Sequence, residues 1–264
     1  TLPYHLKFSW FFFIKEERFN FLVRLPMKDM LRALLSQVKI EVSEQELELL
    51  AQHWALLSAA NQQFNLTAIL AADVAAEKHY LDSLLLLPRL REALRPGEKL
   101  ADIGSGGGLP ALPLAICLPD FSFTLLEATG KKCAFLAETV EKLALANVSV
   151  RKLRAEEAGR DPALRAGFDF VTARAVARLP VLLEYALPLL KPGGRFFAYK
   201  GAEAGLEVRE SSRALAVLGG KISAVHDFTL PLSKEQRTVI QVTKEKKTPD
   251  RYPRRPGMPG KAPL

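Results

Sequence analysis

The chain has 264 residues, 48% hydrophobic and 25% charged, a composition that excludes a disordered or fibrous protein and leaves room for one substantial domain with an appendage. No apolar run approaches the roughly 18 residues that span a bilayer. The only two cysteines, Cys117 and Cys133, lack metal spacing and point to a reducing, cytoplasmic location rather than a disulfide framework. The net charge of +8 sits at the ends. Residues 1–26 carry four basic and two acidic side chains, residues 244–264 seven and two, and the long middle is nearly balanced.

Residues 1–26 start with Thr1 and hold a short apolar run, Trp10 to Ile14, flanked by Lys7 and Lys15. The run is too short for a membrane span and has no small-residue cleavage site after it. Met27 reads as a normal start, so 1–26 is expected to be an upstream extension or an inaccurately called start. From 27 to 95 the apolar residues fall at helical spacing: Leu31, Leu34, Leu35 and Val38, then Leu47, Leu50, Trp54 and Leu57. Ser43 with Glu46 three residues on is a capping-box signature. Residues 61–67 interrupt the pattern and 73–87 resume it. His79 and Asp82 lie one helical turn apart. They are expected to organise this helical region against the glycine turn that follows.

Residues 96–247 form the central domain. Leu100, Ala101 and Ile103 make a short buried strand. Gly104, Gly106, Gly107 and Gly108 follow, then a helix with Pro110 and Pro113 in its first turn. Strand, glycine turn and helix begin a nucleotide-binding βαβ unit. The dinucleotide pattern G-x-G-x-x-G fails at Leu109, which argues against a nicotinamide-dependent dehydrogenase. What stands instead is Asp102-x-Gly104-x-Gly106-x-Gly108. A second strand, 122–126, ends in Glu127, placed to accept hydrogen bonds from ribose hydroxyls. A helix over 131–146, a third strand over 148–153 and a fourth over 168–173 follow. The fourth leads to Arg174, beyond the carboxyl end of a parallel strand where reacting groups meet in such sheets. A helix over 180–190, a Lys-Pro-Gly-Gly turn, a fifth strand over 195–199 and a helix over 203–218 come next. Two strands, 225–232 and 237–243, read as a closing hairpin. Residues 248–264 are proline-rich and basic, cannot form regular structure, and are expected to be an arm with phosphate-binding charge.

The glycine pattern is similar to the first motif of the S-adenosylmethionine-dependent methyltransferases. The chain as a whole resembles the bacterial small-subunit ribosomal RNA guanine-N7 methyltransferase family (glucose-inhibited division protein B). The resemblance rests on Asn61-x-x-x-Asn65-Leu66-Thr67, His79-Tyr80-Leu81-Asp82-Ser83-Leu84, Asp102 through Pro110, Arg174-Ala175-Val176-Ala177, and Tyr252-Pro253-Arg254-Arg255-Pro256-Gly257-x-Pro259. It runs from about Met27 to Leu264; 1–26 has no counterpart, and Ala111 replaces a common glycine.

The resemblance implies a class I methyltransferase: an α/β, Rossmann-like, seven-stranded and mostly parallel sheet with an antiparallel closing hairpin and an N-terminal helical region. It implies S-adenosyl-L-methionine as cofactor, no metal, and 16S rRNA or the small ribosomal subunit as partner, with a monomer expected. The reaction implied is methyl transfer to N7 of a guanine in the decoding region. The implied cofactor contacts are Asp102, Gly104, Gly106, Gly108, Leu109, Glu127, Ala128, Thr129, Ala155, Glu156 and Arg174. Arg174 also has a positioning role, with no general base expected. Arg178, Lys200, Arg254, Arg255 and Lys261 are the candidate RNA contacts. Two other readings share parts of the pattern: a small-molecule methyltransferase, and a non-catalytic RNA-binding protein that kept the fold.

Overall fold

The computed structural model describes residues 25–93 and 95–264; the apolar run at 10–14 lies outside them. Among the described residues four helical elements come first: α1 (Met27–Gln37), α2 (Glu44–Asn61), α3 (residues 72–84) and α4 (Leu87–Ala93). The capping box at Ser43 forms, with the Glu46 N–H donating to Ser43 Oγ at 3.2 Å and the Glu46 carboxylate accepting from the Ser43 N–H. The middle of α3, Ala76–Leu81, is a π-helical turn. Such turns are rare and concentrate at functional sites; this one carries His79 and leads into Asp82.

Seven strands follow in the order β3-β2-β1-β4-β5-β7-β6. They are β1 (Lys99–Ile103), β2 (Ser122–Glu127), β3 (Val148–Lys152), β4 (Phe168–Arg174), β5 (Leu190–Lys200), β6 (Gly220–Thr229) and β7 (Gln236–Lys244). The first five are parallel, and β7 runs antiparallel between β5 and β6. The helices among them are α5 (Ala111–Cys117), α6 (Gly130–Lys142), α7 (Ala155–Ala158), α8 (Leu179–Ala186), α9 (Ala204–Glu210) and α10 (Ser212–Leu218), with α11 (Met258–Lys261) last.

Strand residues alternate between the two faces of the sheet, and each face has its own core. Leu100, Phe170, Phe197 and Tyr199 join one core with the N-terminal helices and with α5 and α6. Ala101, Val171, Phe196 and Ala198 join the other with α8 and α10. No helix among the described residues is long and apolar enough to cross a membrane.

The expected helix over 203–218 is broken. Ser211 Oγ donates to the Glu207 carbonyl at 2.7 Å, a back-bond that competes with the helical ladder. Residues 248–264 are not an extended arm. Tyr252, Pro253 and Pro259 are buried, and α11 starts with a proline in its first turn, where proline is tolerated. Arginine side chains take the backbone carbonyls that proline-rich chain cannot pair regularly. Arg160 donates to the Pro253 carbonyl and Arg165 to the Tyr252 carbonyl, each at 2.7 Å, and Arg165 also to the Thr248 carbonyl at 3.0 Å.

Candidate active site

The carboxyl ends of β3, β2, β1 and β4 form one rim, because these strands are parallel neighbours. The turn leaving β1 holds Gly104, Gly106 and Gly108 at φ +67°, +54° and +87°, where a side chain costs about 1–2 kcal/mol. A Cβ on Gly104 would stand 2.7 Å from Val176 Cγ2, and one on Gly108 would stand 2.4 Å from Leu112 Cδ1. Both conformation and space therefore demand glycine. Gly104, Gly106 and Leu109 remain partly open, and Gly107 and Gly108 are buried.

Glu127 ties this turn to the end of β2. Its Oε2 accepts from the Gly106 N–H at 3.0 Å and its Oε1 from the Thr129 N–H at 2.8 Å. A carboxylate has about four acceptor positions, so two remain for a ligand's hydroxyls. Ala128 and Thr129 are exposed beside it, and Ala155 is partly exposed beyond β3. The Glu156 carboxylate is turned away, accepting from the Gly257 N–H at 2.9 Å; only its backbone remains available on the rim.

Asp102 is fully buried. Its Oδ1 accepts from Thr172 Oγ1 at 2.7 Å, and its Oδ2 meets no donor. Burial pushes its carboxyl up to about 6, against hydrogen bonds that favour the charged form. A sulfonium-bearing nucleoside suits this rim. It brings positive charge towards an under-compensated carboxylate and ribose hydroxyls to the free lone pairs of Glu127.

His79 and Asp82 do not reach the glycine turn. They meet Arg174 at the end of β4. Arg174 Nη1 donates to Asp82 Oδ2 at 2.9 Å and to the Lys78 and His79 carbonyls at 3.3 Å each. Burial pushes the Asp82 carboxyl up, with Arg174 and Arg237 opposing. The Asn61 motif sets this corner. Asn61 Oδ1 accepts from the Leu66 and Thr67 N–H groups at 2.7 and 2.8 Å. Thr67 Oγ1 accepts from the Ile69 N–H at 3.0 Å and shares a hydrogen bond with His79 Nε2 at 2.8 Å. His79 is neutral, lowered to about 4 by burial and by Arg174.

The residue that does grip the glycine turn is His53 on α2. It is fully buried. Its Nε2 donates to the Gly107 carbonyl at 3.0 Å and its Nδ1 accepts from the Tyr80 hydroxyl at 2.9 Å. Burial lowers it to about 4. Its one trace in the sequence is its place among Leu50, Trp54 and Leu57, on the apolar face of α2.

Three of the five candidate RNA contacts are already paired within the protein. The Lys200 side chain is 9% exposed, with Nζ 2.7 Å from both the Ala177 carbonyl and Glu207 Oε2. Arg254 donates from Nε and Nη2 to Glu184, whose side chain is 1% exposed; it locks the C-terminal segment onto α8. Arg178 is exposed and paired with Glu210. Arg255 and Lys261 are exposed.

A sequence profile of the family described as rRNA small subunit methyltransferase G matches residues 46–239. Proteins named ribosomal RNA small subunit methyltransferase G are similar over most of their length. The one from Desulfitobacterium hafniense is 45% identical, covering 86% of this chain and 93% of its own. That from Leuconostoc citreum is 43% identical, covering 87% and 96%. Among solved structures, the cyclase SpnF superposes with a TM-score of 0.50 at 19% identity, covering 65% of this chain and 81% of its own. That likeness concerns the fold alone. With this match along the chain and a rim suited to its cofactor, the chain belongs to the rRNA small subunit methyltransferase G family of S-adenosylmethionine-dependent enzymes.

Proposed function

We propose that this chain transfers the methyl group of S-adenosylmethionine to N7 of a guanine in the decoding region of small-subunit ribosomal RNA. The observation that carries the reading is a cleft of about 380 Å³ that shares Arg174 with the cofactor rim and is lined by Lys78, His79, Asp82, Tyr199 and Arg237. With Lys200 the cleft has four cations against the three carboxylates that pair with them, Asp82, Glu207 and Glu235, a modest positive excess that suits a nucleotide with its phosphate.

The cofactor supplies an electrophilic methyl group on a sulfonium. The backbone of Gly104, Gly106 and Leu109 would receive its amino-acid part, Glu127 its ribose, and Ala128, Thr129, Ala155 and the Glu156 backbone its base. Arg174, held on three sides, keeps the wall between rim and cleft fixed. Guanine N7 carries a free lone pair, so no proton has to leave before attack. The cleft agrees with that: the Nε2 of its one imidazole, His79, is occupied by the Thr67 hydroxyl, which leaves alignment as the main task of the site. Arg255, Lys261 and Arg178 are the proposed phosphate contacts.

The test is methyl transfer from labelled S-adenosylmethionine to bacterial small subunits lacking the modification, followed by nucleoside analysis. Label in 7-methylguanosine supports the reading. Cofactor binding without transfer would refute this acceptor.

A further inference from the structure

The cleft contains a donor and an acceptor side by side that attract each other as charges but make no hydrogen bond. Asp82 is 5% exposed, and its Oδ2 is taken by Arg174. Its Oδ1 receives no hydrogen bond; Arg237 Nε lies 3.6 Å away, beyond hydrogen-bonding distance. Arg237 in turn uses Nη2 on Glu235 at 2.8 Å and Nη1 on the Gln236 carbonyl at 3.0 Å, and its Nε makes no hydrogen bond. Both residues line the cleft. Asp82 Oδ1 opens onto the cleft with acceptor capacity left over, and Arg237 Nε opens beside it with its proton unused. An occupant that offers a donor and an acceptor at that spacing is favoured there.

Guanine presents a matching pair on one edge. O6 is an acceptor and the neighbouring N1–H a donor, while N7, on the other side of O6, stays free. Adenine presents the reverse, a donor at N6 and an acceptor at N1. Resting on the proposed guanine reading, we infer that Asp82 and Arg237 are the specificity-determining pair for the acceptor base. Asp82 Oδ1 accepts from N1–H, and Arg237 Nε donates to O6. With Oδ2 held by Arg174, this recognition uses Oδ1 for N1–H alone and leaves the exocyclic N2 amine out. An adenine in the same pose would set its N1 lone pair against the carboxylate and its N6 amine against the guanidinium.

The test uses wild-type enzyme and reconstituted small subunits carrying a chosen nucleoside at the methylated position. Inosine keeps O6 and N1–H and lacks the N2 amine; 2-aminopurine keeps the amine and lacks the other two. The expected result is methylation of inosine within about 3-fold of guanosine, and loss of at least about 30-fold for 2-aminopurine and adenosine, the range of a lost two-point base contact. Asp82→Asn and Arg237→Gln should each narrow the guanosine-to-adenosine ratio about 10-fold, and Arg237→Gln, which leaves the Arg174–Asp82 pair in place, should do so with cofactor affinity by calorimetry unchanged.

Equal use of guanosine and 2-aminopurine by the wild type would overturn the inference. So would rejection of inosine, or variants that slow guanosine and adenosine by the same factor, since a merely structural Asp82 would do that. Methylation of 7-deazaguanosine would instead refute the N7 reading itself.

Discussion

Replacing His53 by phenylalanine isolates what holds the glycine turn in shape. The ring volume is kept, and two hydrogen bonds are lost, from Nε2 to the Gly107 carbonyl at 3.0 Å and from the Tyr80 hydroxyl to Nδ1 at 2.9 Å. Each partner is left buried without its mate, at about 1–3 kcal/mol apiece, so the variant should be about 2–5 kcal/mol less stable at pH 7.5. The histidine also makes that penalty depend on pH. Its folded pKa is about 4 against 6.5 for the free side chain, so the unfolded chain takes up the proton first. Its contribution is therefore whole above about pH 6.5 and is lost as pH falls towards 4, by about 2.5 kcal/mol at pH 4.5. Phenylalanine does not titrate, and His79 and Asp102 titrate in both proteins. The difference between the two urea-unfolding curves, taken from pH 7.5 to 4.5, should thus shrink by that amount. Freed at Gly107, the turn should also bind S-adenosylmethionine about 10-fold more weakly, roughly 1.4 kcal/mol. A penalty constant across the range, or unchanged cofactor affinity, would refute the assignment of a neutral, hydrogen-bonded His53 as the clamp.

Gly104→Ala should lower cofactor affinity at least about 10-fold by calorimetry, since φ +67° and the 2.7 Å approach to Val176 both oppose a Cβ. Glu127→Gln should weaken cofactor binding by about 30-fold and lower thermal stability, because an amide cannot accept from both the Gly106 and Thr129 N–H groups while serving a ribose. Arg254→Ala should cost about 2–4 kcal/mol in urea unfolding, because the buried Glu184 carboxylate loses its guanidinium and keeps only the N–H of residue 254, with the salt dependence of RNA binding unchanged. Arg255→Ala should do the opposite, preserving stability and reducing the salt slope by about 1.

The half of the site that the sequence displays is the half built from local chain. Asp102, the glycines and Glu127 announce themselves because a strand, a tight turn and a helix must follow one another within a few residues, and the sheet order then brings Glu127 alongside. Those elements stand where the spacing put them, and the closing hairpin forms as expected, though its first strand runs over Gly220–Thr229 rather than 225–232. The acceptor half is assembled from distant segments. Arg237 meets Asp82 across 155 positions of chain, and neither residue type signals that by itself. His53 is silent for another reason: its partner is a backbone carbonyl, which any residue offers. The C-terminal segment misleads because the rule that proline forbids regular structure says nothing of arginine side chains reaching in to take the carbonyls, as Arg160 and Arg165 do.

The N-terminal helices are part of the enzyme's core rather than an addition to it. One hydrophobic cluster runs from Met30 and Leu57 through Leu100 and Phe170 to Val239, so the helical region over 27–95 and the sheet share one core. The same helices build the acceptor side. Glu77 accepts from the Ser233 N–H at 3.0 Å and also from the Leu232 N–H, and Lys78 pairs with Glu235; together they hold the β6–β7 hairpin against α3. That clasp is what carries Arg237 to Asp82. The sheet and its glycine turn thus determine the methyl donor, and they are the part such folds share whatever reaction they serve. What is methylated is decided where α3 and the hairpin close on each other.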